Sequence, residues 1–198
     1  MTINTPTEIE EITGVKIVEL TKYRDSRGSL FEFYRENWPL GLTPIQWNAV
    51  QSVPNTIRGF HVHPHHYDFL VCIVGNFIIN IKDLRKTSQS YLESRCIKLD
   101  SENPRALVIP PGVGHGFEFH VNTVVCYSMD YYFEEDKELD CRFDDKDLNI
   151  NWSFVKPNLS ERDDKSTRFK KLINDLEPFQ NKFTNDILQQ QSKKQEHD

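Results

Sequence analysis

The sequence predicts an all-β domain that closes on itself, followed by a helical C-terminal segment. Short apolar and aromatic runs recur from Gly14 to about Arg162, at spacings of roughly 8 to 15 residues and punctuated by Gly, Pro, Asn and Asp. Phe, Tyr and Trp together reach 12%, a share that suits β-rich cores. Beyond Pro157 the apolar period changes from that of strands to that of a helix.

Taken in order, Val15 to Leu20 alternates with a period of two, and Ser29 to Tyr34 is a second β-type run after Arg27-Gly28. Phe69 to Val74 is continuously apolar, as in a strand buried on both faces. Gly75-Asn76 turns the chain into Phe77 to Lys82. Ala106 to Ile109 runs into Pro110-Pro111-Gly112, and Thr123 to Met129 is a further β-branched and aromatic run. Jelly-roll closure is one way to protect the edges of so many short strands. Phe169, Leu172, Ile173 and Leu176 then fall on one face of a helix, expected to pack outside the barrel. The expected organisation is a loose leader over 1–13, a β domain over 14–163, a helical extension over 164–188 and a disordered tail over 189–198.

With 198 residues the chain suits one domain with a real core. Its net charge of -6 argues against a nucleic-acid partner, which needs a basic face, yet leaves room for a phosphorylated small ligand held by a few local arginines. No apolar stretch is long enough to span a bilayer, and Met1 to Glu11 has no signal-peptide core, so the expected location is the cytoplasm, away from membranes. Cys72, Cys96, Cys126 and Cys141 are scattered without a Cys-x-x-Cys pair and fit a reducing compartment.

Chemistry concentrates at Arg58-Gly59-Phe60-His61-Val62-His63-Pro64-His65-His66, where four of the seven histidines lie within six residues. In a strand, residues 61 and 63 project to the same face and can share a cavity. Two readings follow. His61-x-His63, Asp68 and Gly75 resemble the first metal-binding motif of cupins, with Asp where Glu is usual, and Pro110-x-Gly112-x-x-His115 resembles the second. On that reading His61, His63, Asp68 and His115 surround an iron, manganese or zinc ion.

The second reading draws on more of the chain. Asp25-x-Arg27-Gly28, Gln46-x-Asn48, Ile57 to His61, Asp83-Leu84-Arg85 and Ile109 to Phe117 resemble, in order, the dTDP-4-dehydrorhamnose 3,5-epimerase family. The series continues through Tyr127, Asp130-Tyr131-Tyr132, Asp144, Ile150-x-Trp152 and Leu159-Ser160-x-x-Asp163. The resemblance implies a cupin jelly roll (a double-stranded β-helix), a strand-exchanging homodimer, and a site that needs neither metal nor cofactor. It implies epimerisation at carbon 3, carbon 5 or both of a nucleoside-diphospho-4-keto-6-deoxy sugar, in deoxysugar and polysaccharide synthesis. In that pattern His61 is the base, Asp163 orients it, and Tyr127 is the acid on the far side of the ring. Arg27 and Arg58 hold the diphosphate, Gln46 and Asn48 line the groove, Glu32 reads the base and Tyr132 stacks on it. His63, Asp68 and His115 complete the sugar pocket.

Two positions depart from the family. Asp68 stands where a lysine is usual, and His63 where a glutamine is common. The lysine is a cation near the keto oxygen, where charge gathers as the enolate forms. Three arrangements satisfy the sequence: Asp68 holds His63 as an imidazolium, Asp68 binds a metal, or the chain binds the sugar nucleotide and performs different chemistry, down to none.

Overall fold

The computed structural model describes residues 6–9 and 11–195. The strands are β1 (Thr7–Glu8), β2 (Lys16–Glu19), β3 (Lys22–Asp25), β4 (Gly28–Phe31), β5 (Gln46–Ser52), β6 (Thr56–Val62), β7 (Asp68–Val74), β8 (Asn76–Asp83), β9 (Ser94–Asp100), β10 (Arg105–Ile109), β11 (Val113–Phe119), β12 (Thr123–Met129) and β13 (Leu139–Asp140). Helices α1 (Glu161–Asp164), α2 (Phe169–Leu176) and α3 (Gln180–Gln195) follow. Each predicted β run lies in a strand, with ends moved by a few residues.

Two sheets face each other, one in the order β1-β2-β10-β7-β12-β5 and the other β13-β6-β11-β8-β9; β3 and β4 form a separate hairpin. Every pairing of named strands is antiparallel, and the architecture is the cupin jelly roll expected from the sequence. Between the sheets, Leu70, Cys72, Phe77, Ile79, Ile81, Leu99, Leu107 and Phe119 close one end of the interior. A fully buried side chain of this size contributes roughly 1.5–3 kcal/mol, so this plug anchors the sandwich. Trp38 and Leu40 cover the outer face of the six-stranded sheet. Phe169, Leu172, Leu176 and Phe183 from α2 and α3 pack against Phe60, Val62 and Leu84, as the helical periodicity predicted for α2.

Two boundary expectations need correction. The predicted loose leader contains β1, which pairs with β2, and Ile12, which is fully buried in the core. An apolar side chain in a polar stretch still docks when the sandwich offers it a hole. The predicted tail is helical as far as Gln195, continuing α3. Parts of both expectations, residues 1–5, 10 and 196–198, lie outside the described residues. All four cysteines are free, Cys72 and Cys141 being buried. No helix among the described residues is long and apolar enough to cross a membrane.

A buried ion pair ties the sheets to the C-terminal segment. The Asp83 carboxylate, with no exposed surface, accepts from Arg85 Nε and Nη2 at 2.8 Å each and from the Ser90 hydroxyl at 2.7 Å. Arg85 Nη2 also donates to the Thr13 carbonyl, and Phe183 packs beside Arg85 over Gly112. Burial by itself would raise the Asp83 pKa, but Arg85 outweighs it and holds the carboxyl below its usual range. The pair therefore adds stability above the unfolded aspartate value of about 3.9, and that stability is lost as pH falls through the lower folded-state value. Asp83→Asn strands a buried guanidinium and is expected to cost about 3–5 kcal/mol in urea unfolding at neutral pH. The variant's stability should also fall less steeply with acid than that of the parent; parallel acid limbs would show that Asp83 does not carry this term.

Candidate active site

Opposite the apolar plug, the barrel interior opens into a cavity of about 270 Å³. One wall comes from the five-stranded sheet, with Arg58 and His61 on β6 and His115 and Phe117 on β11. The other comes from the six-stranded sheet, with Asp68 and Leu70 on β7 and Val125, Tyr127 and Met129 on β12. Ser160, Arg162 and Asp163 close the rim.

Arg58 and His61 both line the cavity although they are three residues apart, which a regular strand forbids because its side chains alternate. The register explains it. His61 pairs with His115 and Arg58 with Phe117, so Gly59 and Phe60 together face the single residue Gly116. This is a β-bulge, a device that re-aims side chains. Glycine is needed on both strands. A Cβ on Gly59 (φ 120°) would lie 2.7 Å from Gly116 Cα, and one on Gly116 would lie 2.6 Å from the Trp152 ring.

His61 Nε2 meets Asp163 Oδ1 at 2.6 Å. Asp163 reaches that spot because Ser160 caps α1, its hydroxyl accepting from the Asp163 N–H at 3.0 Å. Burial alone would raise the Asp163 pKa; the His61 contact and the Ser160 and Gly59 hydrogen bonds outweigh it and keep the carboxyl ionised. Tyr127 faces the cavity from the opposite sheet. Burial, then the nearby Asp68 charge, push its phenol upward, so it holds its proton at neutral pH.

A second cluster forms the deeper wall. The His63 and His66 rings stack at 4.3 Å between centroids, 24° from parallel. Asp68 lies on their Nε2 side, 3.3 Å from His63 and 3.6 Å from His66, with His115 Nε2 3.7 Å away. Glu138 lies on the Nδ1 side, in direct contact with His63 and 3.7 Å from His66. Burial would raise the Asp68 pKa, but the charges of His63, His66 and His115 hold it well below the carboxylate range. Burial would lower that of His63; Asp68 and Glu138 reverse the effect and raise it. His115 is pushed down to about 3, first by burial and then by its histidine neighbours, so it is neutral.

The structure thus gathers His61, Tyr127, Asp163, Arg58, His63, Asp68 and His115 around one cavity. Gln46 and Asn48 lie half-buried along β5, where Asn48 pairs with Tyr127; the Asn48 amide nitrogen has no hydrogen-bond partner. Five expected residues lie outside the cavity lining, Gln46 and Asn48 beside it on β5 and three more beyond. Arg27 sits on the β3–β4 hairpin, its side chain 87% exposed and paired with Asp25. Glu32 pairs with Arg35 beyond that hairpin, and Tyr132 is exposed. The four-ligand set His61, His63, Asp68 and His115 is also not the one whose donor atoms converge. His61 is engaged by Asp163, and His66 takes its place beside His63 and Asp68.

Glu138 and His66 were missed as site residues. Glu138 ends the acidic run 134–138, which reads as solvated surface, yet its side chain is 4% exposed. His66 was visible only as a member of the histidine cluster. Arg162, also missed, sits inside the Ser160-x-x-Asp163 motif, so a signal for it was present.

Jelly-roll fold, histidine–carboxylate dyad and facing tyrosine define a cupin of the sugar-nucleotide isomerase type. The chain belongs to the dTDP-4-dehydrorhamnose 3,5-epimerase family, whose model matches residues 9–171. It is 30% identical over 146 residues to the spore coat polysaccharide biosynthesis protein SpsL of Bacillus subtilis, covering 72% of this chain and 97% of that one. It is 29% identical over 168 residues to the dTDP-4-dehydrorhamnose 3,5-epimerase of Shigella flexneri, covering 80% and 93%. Among solved structures, the dTDP-4-dehydrorhamnose 3,5-epimerase of Bacillus anthracis, with TDP and PPi bound, superposes with a TM-score of 0.74 at 29% identity, covering 82% and 99%.

The strand contact that builds the site can be tested directly. Gly59→Ala forces β6 and β11 apart and is expected to lower stability by about 1–3 kcal/mol in urea unfolding. An unchanged midpoint would show that the two strands do not approach this closely.

Proposed function

We propose that the protein epimerises carbon 3, carbon 5 or both of a nucleoside-diphospho-4-keto-6-deoxy sugar, in deoxysugar and polysaccharide biosynthesis. The observation that carries this reading is the His61–Asp163 pair facing Tyr127 across the cavity, from opposite sheets. Epimerisation needs a base on one face of the sugar ring and an acid on the other.

His61 takes the proton from the carbon next to the ketone. The C–H electron pair becomes the enolate, with its charge on the 4-oxygen. Tyr127 then gives its phenolic proton to the opposite face of the same carbon, inverting it, and proton exchange with solvent returns the imidazolium and the phenolate to their starting states. Asp163 holds the imidazole ring in place and favours the imidazolium that forms, as a buried carboxylate does for other catalytic histidines. The aromatic wall of Phe117 and Phe119 excludes water, which strengthens each of these electrostatic contributions.

Arg58 lines the same cavity, and its guanidinium fork suits phosphate oxygens. Asn48 and Gln46 continue the polar line along β5. Arg27 and Glu32 join the nucleotide end in a homodimer whose copies exchange the hairpin region, and Tyr132, exposed just beyond β12, stacks on the base there. The exposure of that hairpin and its separation from both main sheets support such an assembly. The free thiols, Cys96 being exposed, fit a reducing cytoplasm. The positive charge that the enolate oxygen needs cannot come from Asp68. His63, whose pKa Asp68 and Glu138 raise against burial, is the imidazole placed to supply it.

Solvent exchange in heavy water tests the reading. With dTDP-4-keto-6-deoxyglucose, NMR should show loss of the carbon-3 or carbon-5 proton signal, and the carbon that exchanges names the reaction. His61→Asn and Tyr127→Phe are each expected to lower turnover about 10²–10⁴-fold while nucleotide binding stays close to that of the parent. Tight binding with no exchange in the parent protein would leave a sugar-nucleotide-binding cupin. Full exchange in His61→Asn would remove the base assignment.

A further inference from the structure

The His63–His66 cluster does more than the epimerisation chemistry asks of it. His66 is 1% exposed, and neither of its ring nitrogens has a hydrogen-bond partner. A buried imidazole always has at least one N–H to satisfy, and leaving it unpaired costs about 1–3 kcal/mol. The carboxylate oxygens that face it, on Asp68 and Glu138, stand 3.6 and 3.7 Å away, beyond hydrogen-bond reach.

Those distances have another meaning. Two ligands bound tetrahedrally at about 2.0–2.1 Å from one ion are about 3.3 Å apart. His63 Nε2 lies 3.3 Å and His115 Nε2 3.7 Å from Asp68 Oδ2, while His66 Nε2 lies 3.6 Å from Asp68 Oδ1. The donor atoms of His63, His66 and Asp68 all fall within 4.8 Å of one another. On the far side, the Nδ1 atoms of both stacked rings face the two oxygens of the buried Glu138. Metal-bound histidines characteristically give their second N–H to such a carboxylate, which fixes the tautomer and raises ligand basicity.

We propose that His63, His66 and Asp68 bind one divalent transition ion of the zinc class through the two Nε2 atoms and the carboxylate. Glu138 is the outer carboxylate, bonded to the His63 imidazole and facing that of His66, and His115 lies beside Asp68 outside the converging set. The loop carrying His66 is held for this purpose from three sides. Gly112 N–H donates to the His63 carbonyl at 3.0 Å, Lys182 Nζ donates to the Pro64 and His65 carbonyls, and Asp130 accepts from the Tyr67 N–H. Lys182 belongs to α3, beyond the segment that matches the family model, so the C-terminal helix braces the ion's loop.

The ligand set differs from the one that the linear cupin motif suggests, because His61 is taken by Asp163 and His66 replaces it. It also places a metal where the family resemblance implies none. His63, Asp68 and His115 line the cavity, so the ion would face the sugar, where the enolate calls for positive charge. That role rests on the proposed function; the binding does not.

Cobalt is the probe, since tetrahedral Co²⁺ bound by imidazole and carboxylate has strong visible bands. Protein treated with chelator and dialysed is titrated with Co²⁺ alone, without any sugar nucleotide. The expected result is saturation of those bands at one ion per chain, with displacement by Zn²⁺. His66→Gln should abolish the bands, and Glu138→Gln should weaken binding about 10–100-fold. His61→Gln should titrate like the parent, because His61 is not a ligand. Circular dichroism checks that each variant is folded, and Asp68→Asn replaces His66→Gln if the latter is not. Absence of the bands in the parent overturns the proposal. So does binding that survives His66→Gln or Asp68→Asn, or that is lost with His61→Gln. Since no substrate is present, failure here is separate from failure to exchange protons.

Discussion

The close approach of β6 and β11 is the contact on which the site depends. Two glycines, Gly59 and Gly116, let the backbones meet where any Cβ would collide, and the extra residue on β6 turns Arg58 and His61 to the same side. Without that bulge, strand alternation would send one of the two into the outer core with Phe60 and Val62. The Trp152 ring packs on Gly116, with its indole N–H donating to the Phe143 carbonyl at 2.7 Å, and so backs the strand from outside.

From that contact the cavity follows. β6 and β11 bring histidines and an arginine to one wall, while β7 and β12 bring Asp68 and Tyr127 to the other. The apolar plug fills the far end of the barrel, so the polar groups converge in a space closed on most sides. Low solvent access makes each charge matter more than it would on the surface. Asp163 and Asp68 remain ionised despite burial because histidines face them. The His61–Asp163 dyad is one unit, and the second cluster, backed by Glu138, is organised differently, with two stacked rings held between two carboxylates.

The fold was largely legible because it rests on local patterning. Phe69 to Val74 has to be an inner strand, since no other position hides so many apolar side chains in a row. Gly75 and Gly112 mark turns because they adopt positive φ. The dyad was legible through resemblance, since His61 and Asp163 lie 102 residues apart and nothing local links them. Ile12 was not legible as core, because one apolar residue in a polar stretch has no periodicity.

By itself the sequence determined the β framework, the docked helix and the residue types gathered in the cavity. Those depend on short-range alternation and on residue chemistry, which the linear order carries. Only the tertiary structure decided which histidine joins which carboxylate. The bulge gave His61 to Asp163, the turn at Pro64 brought His66 beside His63, and the segment entering β13 delivered Glu138 from a run that reads as solvated surface. Such pairings depend on strand register and loop closure over long separations, and a difference of one residue in register reverses the face on which a side chain lies.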